Sequence, residues 1–179
     1  MSVRLFVALD LPAPARAALA AFRDAAADEA IWRRLPESSF HVTLALLGHR
    51  PEEDVEPVSA ALGGLALPET LPLKLGAGLL LPPRRARVLT VEVSGEIAPV
   101  QALVSDALEA LGVYVPERRP FRAHVTVARL RSGARSPREL PGVSCETVAF
   151  DGGPVVLYRS RLGRGGASYE PLFTTVGPR

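Results

Sequence analysis

Three histidines occur in the chain, and two of them begin a repeated pattern. His41 and His124 each open the sequence His-Val-Thr-x-Ala-x-Leu, and the two copies lie 83 residues apart. The chain has 7 threonines in 179 residues, so two of three histidines meeting threonine two places on is a coincidence on the order of 1 in 200. The repeat therefore indicates a common chemical role for His41 with Thr43 and for His124 with Thr126.

Two imidazoles and two hydroxyls form a set suited to phosphoryl displacement. Imidazoles have an ordinary pKa near 6.5, so one can be neutral and the other protonated around neutral pH. Such a pair can supply the general base and the general acid of an in-line displacement. Hydroxyls and nearby arginines can donate hydrogen bonds to the phosphate oxygens. The scheme requires neither a metal nor a cofactor, and we expect none.

Other interpretations of the same residues remain open. A zinc site has little support, because the histidines and Cys145 lack close ligand spacing and neither repeat contains an acidic residue. A serine hydrolase also has little support, because the chain lacks the G-x-S-x-G turn of such enzymes. The two repeats could also be ordinary strands, or they could grip a phosphate without catalysis in an RNA-end-binding module. We expect His49 to lie in a loop.

Elements of the right type surround both repeats. Side chains alternate along a strand, so His41 and Thr43 share one face and the intervening aliphatic residues share the other. If the two halves of the chain pair about a pseudo-two-fold axis, both His-Thr faces meet across one cleft. Hydrophobic periodicity and turn residues predict strands at 4–9, 40–47, 71–80, 88–93, 121–130, 145–150, 155–161 and 169–176, and helices at 13–28, 52–62 and 97–111.

These elements predict an α+β protein with mostly antiparallel strands. Gly48 is expected to end the second strand, and Asp151-Gly152-Gly153 is expected to form a tight turn between neighbouring strands. The length of 179 residues and the hydrophobic fraction of 47% predict one domain over residues 1–179. No segment approaches the roughly 20 apolar residues of a membrane span, and we expect no signal peptide.

Charge and cysteine content limit the surroundings of the protein. A lone Cys145 cannot form an intramolecular disulfide, so the cytoplasm is the default location. Of the 21 cations 20 are arginine, which binds phosphate bidentately. Residues 1–72 have a net charge of −4 and residues 73–179 one of +6. A modest basic surface on the second half suits a short oligonucleotide or a chain end.

At these residues the chain resembles the two-histidine phosphoesterase superfamily, whose signature is a pair of His-x-Thr/Ser-x motifs. Within it the chain is most similar to the bacterial and archaeal RNA 2',3'-cyclic phosphodiesterases, also called 2'-5' RNA ligases. The likeness also covers the opening segment 4–12, the segment 120–124 before the second histidine, and the closing segments 157–160 and 169–172.

The resemblance implies a bilobal α+β fold in which two related lobes, each an antiparallel sheet backed by helices, enclose the active-site cleft. It implies that His41 donates a proton to the leaving 3'-oxygen and that His124 activates water, which leaves a 2'-phosphate end. Thr43 and Thr126 would bind phosphate oxygens, and the reverse reaction would join RNA ends through a 2'-5' linkage. The expected partners are RNA ends or short oligonucleotides with a 2',3'-cyclic phosphate, and a monomer is expected.

Two arginines are further candidates for binding the phosphate. Arg129 matches a family arginine five residues after the second histidine. Strict alternation places it on the face opposite His124, so its role requires a bulge, a strand twist or its long reach. Arg122 has the correct parity, although a solvated surface arginine is an equally good interpretation. Phe6 and Phe121 could stack on a base, but core packing is the commoner fate of a strand phenylalanine.

Overall fold

A computed structural model describes residues 1–140, 142–163 and 166–176. Its strands belong to one antiparallel sheet, and three α-helices cover that sheet. The strands are β1 (Ser2–Leu9), β2 (Trp32–Arg34), β3 (Val42–Pro51), β4 (Pro72–Leu81), β5 (Val88–Gly95), β6 (His124–Leu130), β7 (Ala149–Asp151), β8 (Val155–Gly163) and β9 (Gly166–Thr174). The helices are α1 (Ala13–Ala26), α2 (Val55–Gly63) and α3 (Ile97–Ala110). The α+β prediction is confirmed.

The order of the strands reveals two related lobes. The sheet runs β7-β4-β5-β6-β3-β1-β8-β9, with the short β2 also paired to β6. Reading outward from the centre gives β6-β5-β4-β7 on one side and β3-β1-β8-β9 on the other. The lobes join where Val42 of β3 pairs with Val125 of β6. The expected bilobal, pseudo-symmetric arrangement is therefore confirmed.

Two of the helices cross between the lobes. Helix α1 follows β1 but contacts β6 and β7, and α3 follows β5 but contacts β3. In α1 the buried side chains recur at helical spacing and include Ala15, Leu19, Phe22 and Ala26. Phe22 packs so closely on β4 that a Cβ at Gly78 would overlap its ring. Each helix therefore buries its apolar stripe on the opposite lobe and ties the two lobes together.

The same irregularity interrupts both histidine strands. Between β1 and β3, Ala8 pairs with Thr43 and Val7 with Ala45, which leaves Leu44 without a partner. Between β5 and β6, Thr90 pairs with Thr126 and Leu89 with Ala128, which leaves Val127 without one. Leu44 and Val127 occupy the same position of the repeat. Each is a β-bulge, and a bulge shifts the alternation of the side chains that follow it.

Several local predictions need correction. Gly48 does not end β3, because with φ of 72° it accommodates a second irregularity and the strand continues to Pro51. His49, which was expected in a loop, therefore lies in β3, where it pairs with Arg4. The segment 145–150 forms strand only from Ala149. Strand β2, which is only three residues long, was not predicted.

The predicted tight turn at Asp151-Gly152-Gly153 is wrong. Strand β7 pairs with β4 and β8 pairs with β1, so this segment crosses from one lobe to the other. The backbone N–H of Gly152 donates to Leu71 and that of Gly153 donates to Asp10. A Cβ at Gly153 would lie 2.8 Å from the Asp10 carbonyl oxygen. Glycine is therefore required at both positions, because the chain passes close to the ends of two other strands here.

In the described part of the chain, no helix has both the length and the apolar character needed to cross a membrane.

Candidate active site

The four repeat residues line one small cavity at the junction of the lobes. His41, Thr43, His124 and Thr126 face a space of about 40 Å³ that Arg129 also borders. The geometry follows from the single pairing of Val42 with Val125. Antiparallel strands paired at this point bring each histidine across from the threonine of the other strand. The valines themselves are completely buried on the other face, as alternation predicts.

The bulge at Val127 explains the position of Arg129. Val127 and Ala128 are both buried although they are adjacent, which shows that the alternation changes phase between them. Arg129 consequently emerges on the His124 side and lines the cavity. The equivalent residue of the first repeat is Leu46, which is 59% exposed. The two halves of the site therefore share a backbone plan but differ in charge, since only the β6 copy carries an arginine.

Each histidine ring is held by the backbone two residues before it. Nδ1 of His124 lies 2.7 Å from the carbonyl oxygen of Arg122, and His41 makes a hydrogen bond with the backbone of Ser39. A carbonyl can only accept, so Nδ1 of His124 carries the hydrogen. In the neutral ring, Nε2 of His124 is then the unprotonated nitrogen. This fixed tautomer is the form that a general base needs.

An aromatic group surrounds His41 on one side. The ring centroid of Phe6 lies 5.0 Å from that of His41, the Tyr169 ring lies 5.2 Å away edge-on, and Tyr158 lies 6.1 Å away. Phe6 also stacks on Tyr158 at 5.2 Å. Sequence interpretation did not assign either tyrosine to the site. The available signal was that both lie in the closing segments that carry the family resemblance.

This environment changes the proton affinity of His41. The pKa of His41 is lowered from 6.5 to about 4, mainly by loss of solvation, and the hydrogen bond with Ser39 opposes this change. The charges of Arg16 and Arg129 contribute to the lowering, and the charge of Asp10 opposes it. Around neutral pH, His41 is therefore neutral.

An ion pair between Arg16 and Asp10 lies near His41. Arg16 of α1 donates to the Asp10 carboxylate at the end of β1 and to the backbone carbonyls of Leu11 and Glu37. These contacts hold the beginning of α1 against the segment that leads into β3. Burial and the charge of Asp10 raise the pKa of Tyr158, which keeps this phenol protonated beside His41.

A larger cavity adjoins the small one. Its volume is about 330 Å³, and it shares His41, Thr43, Arg129 and Tyr169 with the smaller cavity. Arg4 and Arg33 are also among the residues that line it. Its size falls within the usual range of ligand cavities. The two spaces together provide a small polar end and a roomier section beside it.

Arg122 is placed differently from the other predicted residues. Its guanidinium lies 3.3 Å from the Glu92 carboxylate, and its side chain is half exposed. It borders neither of the two cavities at the histidines. Phe121 is partly buried against the core, whereas Phe6 is buried within the aromatic group. Among the described residues, no group of three or more histidine, cysteine or acidic side chains is arranged to hold a metal ion.

Three curated proteins that are similar to this chain all belong to one family. An RNA 2',3'-cyclic phosphodiesterase of Thermus thermophilus is 32% identical, with 95% of this chain and 88% of the relative covered. One of Aeropyrum pernix is 30% identical, with 87% and 92% covered. One of Geobacillus stearothermophilus is 30% identical over 88% of this chain. The chain spans about half of that last relative, 52% of its length.

Solved structures share the fold over nearly the whole chain. The protein TT0787 of Thermus thermophilus superposes with a TM-score of 0.85 at 27% identity and covers 98% of this chain and 100% of its own. Escherichia coli LigT complexed with 3'-AMP gives a TM-score of 0.74 at 25% identity, with 98% and 99% covered. No family model matches the chain. The paired histidine strands, the two-lobed sheet and the curated relatives together establish that this chain belongs to the RNA 2',3'-cyclic phosphodiesterase family.

Proposed function

We propose that the protein hydrolyses RNA 2',3'-cyclic phosphate ends to 2'-phosphate ends by acid-base catalysis with His41 and His124. The observation that carries the proposal is the convergence of both His-Thr pairs on one small cavity. Membership of a family of cyclic phosphodiesterases supports the same reaction. Water attacks the phosphorus, the bond from phosphorus to the 3'-oxygen breaks, and the phosphate stays on the 2'-oxygen.

His124 is suited to act as the base. Its Nδ1 is committed to the Arg122 carbonyl, so the lone pair on Nε2 is available to accept a proton from water. The threonine hydroxyls can donate to the non-bridging oxygens. Arg129 can neutralise charge that builds up on the phosphate, because a charge-assisted hydrogen bond strengthens as the oxygen becomes more negative.

His41 is assigned as the donor to the 3'-oxygen. With a pKa of about 4, it must gain its proton when the anionic substrate binds nearby, since a negative charge favours the imidazolium. Once charged, His41 can give its proton to the 3'-oxygen, which becomes strongly basic as its bond to phosphorus breaks. Binding of the phosphate thus prepares the acid that the reaction needs.

The adjoining cavity of about 330 Å³ supports a nucleotide substrate. Relatives of known structure include LigT bound to 3'-AMP and LigT bound to ATP. We propose RNA ends and short oligonucleotides as the substrates, with the protein acting as a single-domain monomer in the cytoplasm. Attack on the cyclic phosphate by a 5'-hydroxyl in place of water, with the 3'-oxygen again as the leaving group, would form a 2'-5' linkage.

The first test is hydrolysis of a 2',3'-cyclic mononucleotide in EDTA, with the product identified as the 2'- or the 3'-phosphate. We expect metal-independent formation of the 2'-phosphate. His41→Ala and His124→Ala should each reduce kcat by about 10²- to 10⁴-fold, with unchanged circular dichroism. His49→Ala is the control, because His49 lies outside the small cavity. Loss of activity in the chelator would contradict the mechanism.

A substrate with sulfur at the bridging 3'-position separates the two roles. A thiolate leaves without protonation, so the variant that lacks the acid should recover turnover on this substrate, whereas the variant that lacks the base should not. We expect recovery for His41→Ala. Recovery for His124→Ala alone would reverse the assignment of acid and base without affecting the reaction itself.

A further inference from the structure

We propose that a groove lined by Arg85, Arg87, Arg131 and Arg135 binds the sugar-phosphate backbone of the RNA whose cyclic end occupies the catalytic cleft. We call this surface the arginine groove. The inference rests on the proposed function and extends it from a chain end to a longer single strand. The groove has a volume of about 460 Å³, and no carboxylate is among its lining residues.

Two turns build the arginine groove. The β4-β5 connection closes where the N–H of Arg85 donates to the Pro82 carbonyl at 3.2 Å. The segment after β6 turns where the N–H of Ala134 donates to the Arg131 carbonyl at 3.1 Å. Gly133 has a φ of 80° in this turn, a conformation that favours glycine. Arginines from both turns line the same groove.

The positive charge of the groove is not neutralised within the described part of the chain. None of its four arginines belongs to an ion pair there, in contrast to Arg159 and Arg161, which both pair with acids. Arg131 is anchored by Nε donating to the Glu29 carbonyl at 2.7 Å. Arg85, Arg87 and Arg135 are exposed. Four uncompensated guanidinium groups around one concave surface favour a polyanion.

The groove begins beside the catalytic cleft, at the end of β6. Arg129 borders both cavities at the histidines, and the next residue, Leu130, borders the groove. The N–H of Leu130 donates to the Arg87 carbonyl at 2.8 Å, which ties the two surfaces together. Arg131 lies two positions after Arg129, which is about 7 Å along an extended chain. A strand of RNA leaving the cleft past Arg129 would therefore meet the groove at once.

The short distance between the groove and the cleft favours single-stranded RNA as the ligand. A cyclic mononucleotide has its charged group in the small cavity and has no phosphate left to contact the groove. An oligonucleotide has one further phosphate per residue. Arginine contacts with those phosphates release bound counterions, so affinity should depend on both chain length and salt.

The test is the variant Arg85→Gln/Arg87→Gln/Arg135→Gln, measured on a 2',3'-cyclic mononucleotide and on a single-stranded oligoribonucleotide with a cyclic end. Arg131 is left intact because it supports the backbone. The control, Lys74→Gln/Arg118→Gln/Arg119→Gln, removes three exposed cations outside the groove. We expect unchanged kcat/KM on the mononucleotide for both variants. Only the groove variant should have a raised KM on the oligonucleotide.

The dependence of oligonucleotide affinity on salt gives the size of the expected effect. If each of the three arginines contacts one phosphate of a single strand, their loss reduces the slope of log affinity against log salt by about 2. The ratio of variant to wild-type KM on the oligonucleotide should then fall roughly 20-fold between about 50 and 200 mM salt. Equal KM for the groove variant and the control would overturn the inference.

Binding measured without turnover separates this inference from the proposed function. Fluorescence anisotropy with an oligonucleotide ending in a 2'-phosphate measures binding without turnover, and the difference between wild type and the groove variant reports the groove. If wild type binds it more tightly than the groove variant, the inference stands even if no cyclic phosphate is hydrolysed. Equal binding overturns the inference even if hydrolysis is confirmed. Preferential loss of binding to anionic lipid vesicles, with RNA binding unchanged, would also overturn it.

Discussion

Replacing His41 by glutamine should make the stability of the folded protein less sensitive to acid. The folded-state pKa of His41 is about 4, compared with 6.5 for an ordinary histidine. As the pH falls below 6.5, the unfolded chain gains a proton that the folded protein does not accept until about pH 4. Stability contributed through this group is therefore constant above pH 6.5 and decreases between pH 6.5 and about 4.

The size of the effect follows from the two pKa values. Their difference corresponds to a free-energy loss of about 3 kcal/mol when the unfolded chain is completely protonated. Between pH 7 and pH 5 the expected loss is about 2 kcal/mol. The physical origin is the aromatic group of Phe6, Tyr158 and Tyr169, which limits the water around the imidazole. Glutamine has a similar polar character but no proton to gain in this range.

Urea unfolding at pH 7, 6 and 5 measures the difference. The free energy of unfolding of wild type should fall by about 2 kcal/mol more than that of His41→Gln between pH 7 and 5. Carboxylates titrate in both proteins and cancel in the subtraction. His49→Gln removes a histidine outside the small cavity and serves as the control. Parallel pH curves for wild type and His41→Gln would refute the argument that desolvation keeps His41 neutral.

Further substitutions test the other parts of the site. Arg129→Gln should lower kcat/KM by about 100-fold, as expected for a charged donor to the transition state. Arg122→Gln should change kcat/KM less than about threefold, because that guanidinium is half exposed and paired with Glu92. Equal losses in steady-state kinetics would contradict the argument that the bulge turns Arg129 into the cleft. Tyr169→Ala should move the pKa of His41 upward, toward its ordinary value, because it admits water, and an unchanged NMR titration would argue against desolvation by this ring. Gly153→Ala should destabilise the fold by about 1–3 kcal/mol through overpacking, and a thermal midpoint equal to that of wild type would show that the crossing is less tight than described.

Much of the fold and the site could be predicted from local sequence. The histidine repeat identified four residues that do line one cavity, because two-residue alternation is a property of any strand. The main helices and strands were found because their hydrophobic periods and end signals are local. Strand β2 was missed because three residues carry too little pattern. The turn at Gly152 was misassigned because glycine marks both hairpins and close crossings.

Only the tertiary structure decided which strands are neighbours and how the two histidines differ. The sequence repeat by itself makes His41 and His124 equivalent, and alternation alone puts Arg129 on the wrong face. The bulge at Val127, which depends on pairing with β5, turns Arg129 into the cleft. The low pKa of His41 arises from Phe6 and two distant tyrosines that meet only in the folded protein. The sequence determined the chemical groups, whereas long-range packing determined their solvation and direction.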